Sequence, residues 1–453
     1  MPRVETHHAR VPWSWVAWMT TPWLALFYVD NISNGGPLTA TIARFVESPV
    51  LLGFLSSLNV AFALLFGVVA SYLSDRIWTP WGRRRPFLMV GWAGSAAALM
   101  VLPFTSSLAS LVLAVVVLQL FASLTKPLEA LYNEVIPPDQ RGRAAVVRNL
   151  GQHALTLLFF GVLFAQFDTI HRFPLFGRSV EIGGHQVLYW TGSLLLLVVV
   201  VFLATCLREN RPAAAGTIAP PSTAGFFRDV FGRRQWWLLY LLYSTPILSG
   251  PSGGSFGFLM QTEQLGFSKA DIGISVSIGA VVVPALFVPL AGYLTDHMSR
   301  MTLLRIGILG PAVVEFVLFL HLRYLADYSI TLPTLVGYGL AGLALKTCAF
   351  LVWGPLIFDY VPTDRMGTVS AGLAFIGNLT PFVITNLAGF WVTGFTALFG
   401  ATGGSRYDYS SLYVLQVGCA ALAFGITVLF VREEQQGRIL PLGRLEAKRA
   451  PSS

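Results

Sequence analysis

Six ionisable side chains lie inside long apolar stretches of this 453-residue chain: Asp30, Lys126, Glu129, Arg148, Glu315 and Lys346. A charge at mid-bilayer costs about 2.5–3.5 kcal/mol on insertion scales, so each of the six calls for a partner or a task. A carboxylate in a partly desolvated cavity can be loaded with a proton and emptied again near neutral pH. Asp30 and Glu129 are the candidates for that chemistry. At a rise of about 1.5 Å per residue, Glu129 and Arg148 come out at a similar depth, about 10 Å from one membrane face, and are a candidate pair. Glu315 and Lys346 come out about 20 Å from the same face and are a second pair, read as structural. Asp30 and Lys126 differ in depth by about 10–20 Å and are not paired directly.

Amides and aromatics near these charges suit a polyhydroxylated solute. Asn31, Asn149, Gln152 and Asn378 can bond hydroxyls, Trp353 can stack on an apolar ring face, and Lys126, Arg148 and Lys346 can bond hydroxyls or anions. His153 and His321 are read as packing residues. The three cysteines, Cys206, Cys348 and Cys419, are odd in number and lie in or beside apolar segments, which speaks against a disulfide framework or a metal site. No nucleotide-binding loop or nucleophile constellation is present, so neither an enzyme nor a primary pump is expected. No cofactor is expected either, beyond a proton as coupling ion.

These residues need helices to hold them. The chain is 55% hydrophobic and 11% charged, against about 25% charged in soluble domains. Its charges bunch between apolar stretches long enough to span hydrocarbon, which takes about 20 residues. Twelve spans follow, near 13–36, 50–74, 86–104, 108–135, 144–167, 187–207, 236–260, 271–294, 302–323, 331–359, 367–397 and 409–431. The first is read as a retained span rather than a cleaved signal, since it runs on into Asp30. In span 7, Ser249 to Phe258 holds three glycines and a proline and predicts an unwound or bending helix. Lys and Arg divide 22 to six between alternate sides, which puts both termini in the cytosol. The net charge of +8 thus lies in loops and is not a nucleic-acid footprint.

The halves repeat. Thr21-Pro22 matches Thr245-Pro246, Gly53 matches Gly273, and Ala70 to Asp75 matches Ala291 to Asp296. Pro137 to Gly142 matches Pro362 to Gly367. The offset stays between 220 and 225. An all-α membrane protein of two parallel six-helix bundles follows: residues 1–207, a cytosolic linker with a short amphipathic helix at 208–235, residues 236–431 and a cytosolic tail at 432–453.

The loop Ser74 to Phe87 concentrates four arginines behind Asp75. Gly292 to Asp296 has the GxxxD pattern and resembles the signature loop of the major facilitator superfamily; Ser71 replaces the first glycine in the other half. Asp75-Arg76 followed by Trp81-Gly82-Arg83-Arg84-Arg85-Pro86-Phe87 resembles the glycoside–pentoside–hexuronide:cation symporters and the sucrose carriers. That resemblance implies proton-coupled uptake of a mono- or disaccharide by alternating access. It implies a sugar-binding arginine near Arg148. Asp75, Arg76, Gly82, Arg83 and Asp296 are the gating candidates. Asp75 would face the start of span 11 near Thr368, and Asp296 the start of span 5 near Ala144, because a carboxylate is stabilised at a helix N-terminus.

Two departures matter. The stretch from Asn59 to Ala70 lacks the paired aspartates of the family's sodium site, which favours a proton or facilitation. Lys126-Pro127 occupies the family's span-4 Gly-Pro step, with Glu129 after it, and Lys126 can signal an anionic solute. The alternatives are a carrier of a nucleoside or organic anion, and a non-transporting sensor or assembly factor. The expected partners are a small-molecule solute and the lipid bilayer, with no nucleic acid. The protein is expected to be a monomer in the plasma (inner) membrane.

Overall fold

A lipid-embedded backbone has no water to bond, so its N–H and C=O groups must pair within each segment, and helices result. The computed structural model describes residues 12–441 apart from 138–139, 176–177, 208, 210–227, 251–253, 326–329, 363–364 and 403–404. The long helices are α1 (Trp13–Asn34), α2 (Pro49–Ser74), α3 (Arg85–Phe104), α4 (Leu108–Tyr132), α5 (Arg141–Phe164) and α6 (Gly184–Thr205). They continue with α7 (Arg234–Leu248), α8 (Lys269–His297), α9 (Arg300–Tyr324), α10 (Leu332–Tyr360), α11 (Thr368–Phe399) and α12 (Tyr409–Gln435). All but α1 and α7 are long and apolar enough to cross a membrane, ten among the described residues. After α7 a second helix starts at Gly254, whose φ of 64° suits only glycine.

The chain falls into two compact units: residues 1–215 with 266–280, and residues 216–265 with 281–453. The first stretch of α8 therefore groups with unit 1 and its remainder with unit 2. In unit 1 the buried rings of Tyr28, Trp92, Phe159, Phe164 and Tyr189 fill the core. The Tyr28 hydroxyl donates to Leu188 O at 2.7 Å, which ties α1 to α6. A Cβ on Gly273 would stand 2.3 Å from Phe160 O, so only glycine lets α8 approach α5 there. In unit 2 the core gathers Trp236, Tyr240, Ile308, Val352, Trp353, Ala420 and Phe430. Gly307 seats α9 directly on Ala349 of α10.

Outside the helices the chain also forms one short sheet. Between α5 and α6 stands a two-stranded antiparallel hairpin, β1 (Ile170–Leu175) and β2 (Arg178–Gly183). Its residues lie outside the apolar stretches, where strand pairing is open to a water-exposed backbone. Arg172 and Glu181 face each other across it at 2.9 Å.

The repeat also appears in helix geometry. A π-helical turn interrupts α2 at Ala63–Gly67 and α8 at Val283–Phe287, the same offset of 220 residues. Two more π turns lie at Phe159–Phe164 and Met260–Gln264. Such turns widen a helix and free backbone groups, and they recur at functional sites.

Candidate functional site

The candidate site is built from α1, α4 and α5 of unit 1. On α1, Trp23, Asp30 and Asn34 are seven and four residues apart and share one face, with Asn31 beside them. On α5, the Arg148 guanidinium lies 4.5 Å from the Trp23 ring centre and 5.8 Å from that of Tyr132. The two rings meet edge-on at 5.9 Å. A planar, weakly hydrated guanidinium stacks well on such walls.

No carboxylate pairs with Arg148 among the described residues, and its Nε is buried without a hydrogen-bond partner. The expected Glu129–Arg148 pair is therefore a correction. Depth along an axis does not fix the direction around it, and α4 does not run straight. Pro127 has no N–H to donate, so the helix stops at Ser123 and restarts as Leu128–Val135. Glu129 sits in the first turn of the restart and is exposed.

Lys126 falls in the turn, exposed, with its stem against Gly67 of the α2 π turn. Its ammonium acts electrostatically on Asp30, without an ion pair within 4 Å. Asn59 Nδ2 donates to Asn34 Oδ1 at 2.9 Å, and Gln119 Nε2 to Ser33 Oγ at 3.1 Å. Buried atoms without a partner here are Trp23 Nε1, Asn31 Nδ2, Asn59 Oδ1, Tyr132 Oη and Arg148 Nε. Folded proteins leave few such groups unmade, so each marks a place for something else to bond. Asn149 is exposed and Gln152 half-buried one turn further along α5.

Unit 2 holds its polar groups differently. Lys346 Nζ donates to Glu315 Oε1 at 3.1 Å, and the Tyr413 phenol lies within electrostatic reach of that carboxylate. Trp353 is buried and edge-on to Tyr243 at 5.1 Å, with Nε1 unpartnered. The Asn378 amide donates to Ala374 O at 2.7 Å, on its own helix.

The arginine-rich loop is organised by Glu209, a residue the sequence did not single out. Its carboxylate accepts from the backbone N–H groups of Arg83, Arg84 and Arg85 at 2.7–3.1 Å and so caps the start of α3. Gly82 turns the chain with φ of 112°, and a Cβ there would press on Glu209 at 2.9 Å. Arg85 donates from Nε to Leu203 O at the end of α6, and from Nη2 to the Leu203 and Ala204 carbonyls. The side chains of Asp75 and Arg76 lie outside the described residues. Asp296 is exposed, without a protein partner among the described residues. In unit 2, Thr368 borders a polar cavity of about 240 Å³ with Asp229, Arg233, Trp236 and Arg365. A second cavity, of about 470 Å³, is walled by Trp15, Trp18, Leu197 and Phe202 and is too apolar to bind a hydroxylated solute.

Trp23, Tyr132, Asn34 and Asn59 are the site residues that sequence reasoning missed. Trp23 and Asn34 were within reach of it, because both share the helical face of Asp30.

The model of the Major Facilitator Superfamily matches residues 14–385. The chain belongs to the Major Facilitator Superfamily. Its long apolar helices make it a multi-pass membrane protein of that superfamily. Over 316 residues it is 28% identical to the anhydromuropeptide permease of Escherichia coli K12, a match that covers 64% of this chain and 59% of that relative. Among solved structures it is similar to a D-xylose–proton symporter, with a TM-score of 0.66 at 18% identity over 92% of this chain and 97% of the other. It is also similar to the nucleoside transporter NupG, with a TM-score of 0.65 at 11% identity over 92% and 100%. Likenesses at such identities show the fold alone.

Proposed function

We propose that this superfamily member is a secondary active carrier that moves a small polar solute, a mono- or disaccharide, by proton-coupled alternating access. The observation that carries the proposal is the group of unpartnered polar atoms in unit 1, with Arg148 stacked on Trp23 and Tyr132. Donors, an acceptor and aromatic faces in one membrane-embedded bundle are what a hydroxylated ring needs. Asp30 and Glu129 supply the proton sites, with Asn31, Lys126, Arg148, Asn149 and Gln152 as solute contacts. Within unit 2, Trp353 and Asn378 are the candidate solute contacts, and Glu315–Lys346 braces that unit.

The Arg83–Arg85 loop supports kinship with the glycoside–pentoside–hexuronide:cation symporters and sucrose carriers. Twelve spans, cytosolic termini, gating aspartates at Asp75 and Asp296, a monomer and a plasma-membrane location complete the reading. So does the division into bundles at 1–207 and 236–431. Lys126 and Arg148, which form no ion pair among the described residues, favour one second reading, a carrier of an organic anion.

The test is uptake of labelled saccharides into proteoliposomes with and without an inward proton gradient. The proposal expects accumulation only with the gradient. Uptake of a non-sugar anion, with no saccharide entering under either condition, would sink the sugar reading.

A further inference from the structure

Asp168, four residues past the end of α5, meets Lys269, the first residue of α8. The ammonium donates to both carboxylate oxygens, at 2.5 and 2.7 Å, and stands 4.5 Å from the ring centre of buried Phe167. The Arg44 guanidinium lies 5.7 Å from the centre of the same ring. The Asp168 side chain is 63% exposed, and an ion pair so open to water adds little to stability. Further along, α8 lies against the π turn of α5 at Phe159–Phe164, with Gly273 on Phe160 O and Ser277 Oγ on Gly161. Small residues make this contact, not large side chains locked into one another, so it can part and close again. The Ser277 hydroxyl is buried there without a partner among the described residues, a cost that water relieves once the contact opens. The two units divide between residues 280 and 281, and the π turn Val283–Phe287 begins two residues on. Pro284 lies in that turn and Pro289 follows it. Helices bend at prolines and at π turns.

We propose that the first stretch of α8, residues 269–280, is a gate that swings on the π turn Val283–Phe287, and that Asp168 and Lys269 are its latch. The inference rests on the alternating-access reading above and adds a moving part to it, since α8 then bends within itself. Asp168 and Lys269 are positioning residues: they touch no solute and set how long the gate stays shut. An exposed pair suits that task, because a latch has to open in every cycle. Phe167 holds the ammonium over its ring face and so aims it at the carboxylate. With the pair parted, the glycine contact separates and water reaches Ser277 and Ala165, whose Cβ faces Gly273.

The experiment follows how fast a sulfonated maleimide modifies single introduced cysteines in the purified full chain, read peptide by peptide by mass spectrometry so that Cys206, Cys348 and Cys419 are counted apart. S277C and A165C report on the two sides of the α5–α8 contact, and A291C reports on α8 beyond the π turn. The proposal expects S277C and A165C to react tenfold or more faster when combined with D168N or K269M than with the pair intact. K269R, which keeps both the charge and the ring contact, is expected to hold the slow rate. A291C is expected not to speed up. Melting temperatures within a few degrees of the parent establish that each variant is folded; if S277C is not, A165C decides. Rates unchanged by D168N and K269M overturn the latch and leave alternating access standing, because that reading fails instead when the parent takes up no solute. A rise at A291C equal to that at S277C is a loosening of the whole fold and also overturns the latch.

Discussion

At the scale of residues, the buried charges divide into those with partners and those without. Glu315 and Lys346 are joined at 3.1 Å, with side chains only 14% and 26% exposed. Removing one partner of a fully buried pair costs about 3–5 kcal/mol, because the other charge is stranded. For this partly exposed pair the account expects Lys346→Met to cost about 2–3 kcal/mol. The double change Glu315→Gln with Lys346→Met is expected to recover most of that loss. Thermal unfolding in detergent checks both, and equal destabilisation by the single and double variants would show that the pair contributes nothing. Depth counting places Glu315 and Lys346 at one level, and they do touch, since both stand on helices without a break between charge and core. The same arithmetic fails for Glu129 and Arg148. The turn at Pro127 rotates Glu129 away, and an axial rise carries no information about that rotation. Tyr132 was hidden for a different reason: an aromatic in a span resembles lipid-facing filler until its neighbour is known to be an arginine.

At the scale of elements, close packing sets where the helices can lie. A Cβ on Gly372 of α11 would stand 2.1 Å from Tyr240 Cζ of α7. Tyr240 is fully buried and its hydroxyl donates to Val230 O at 2.9 Å, so the ring cannot yield easily. Gly372→Ala is therefore expected to lower stability by about 1–3 kcal/mol, the usual cost of overpacking, read as a fall in melting temperature. A melting temperature equal to that of the parent would contradict this packing. Spans were legible because the apolar stretches have membrane length, and the repeat was legible in Gly53 and Gly273. The paired π turns at Ala63–Gly67 and Val283–Phe287 were not, as no residue type marks an extra residue per turn. The hairpin at Ile170–Gly183 went unseen because its short strands are not apolar enough to stand out. Glu209 lies 124 residues or more from the arginines it caps, beyond the range of any local pattern.

At the scale of the whole molecule, many large apolar side chains lie on the surface, among them Leu113, Val201, Phe350, Phe358 and Leu398. In water that surface would aggregate; in a bilayer it is the contact with solvent. The superfamily fold follows from the sequence at this scale, as segment length, sidedness of charge and repeat all point to one architecture. The solute does not follow so directly, since one fold serves many chemistries. It has to be argued from Asp30, Glu129, Arg148 and their neighbours. The central claim is that a proton travels with the solute on these acids. Its most direct test is the lumenal pH of sealed proteoliposomes, followed with a trapped dye as a saccharide is added outside. The account predicts that a transported solute acidifies the lumen, and that Asp30→Asn combined with Glu129→Gln abolishes the signal while solute still binds. Solute entry with no lumenal acidification, or full acidification by the double variant, would contradict it.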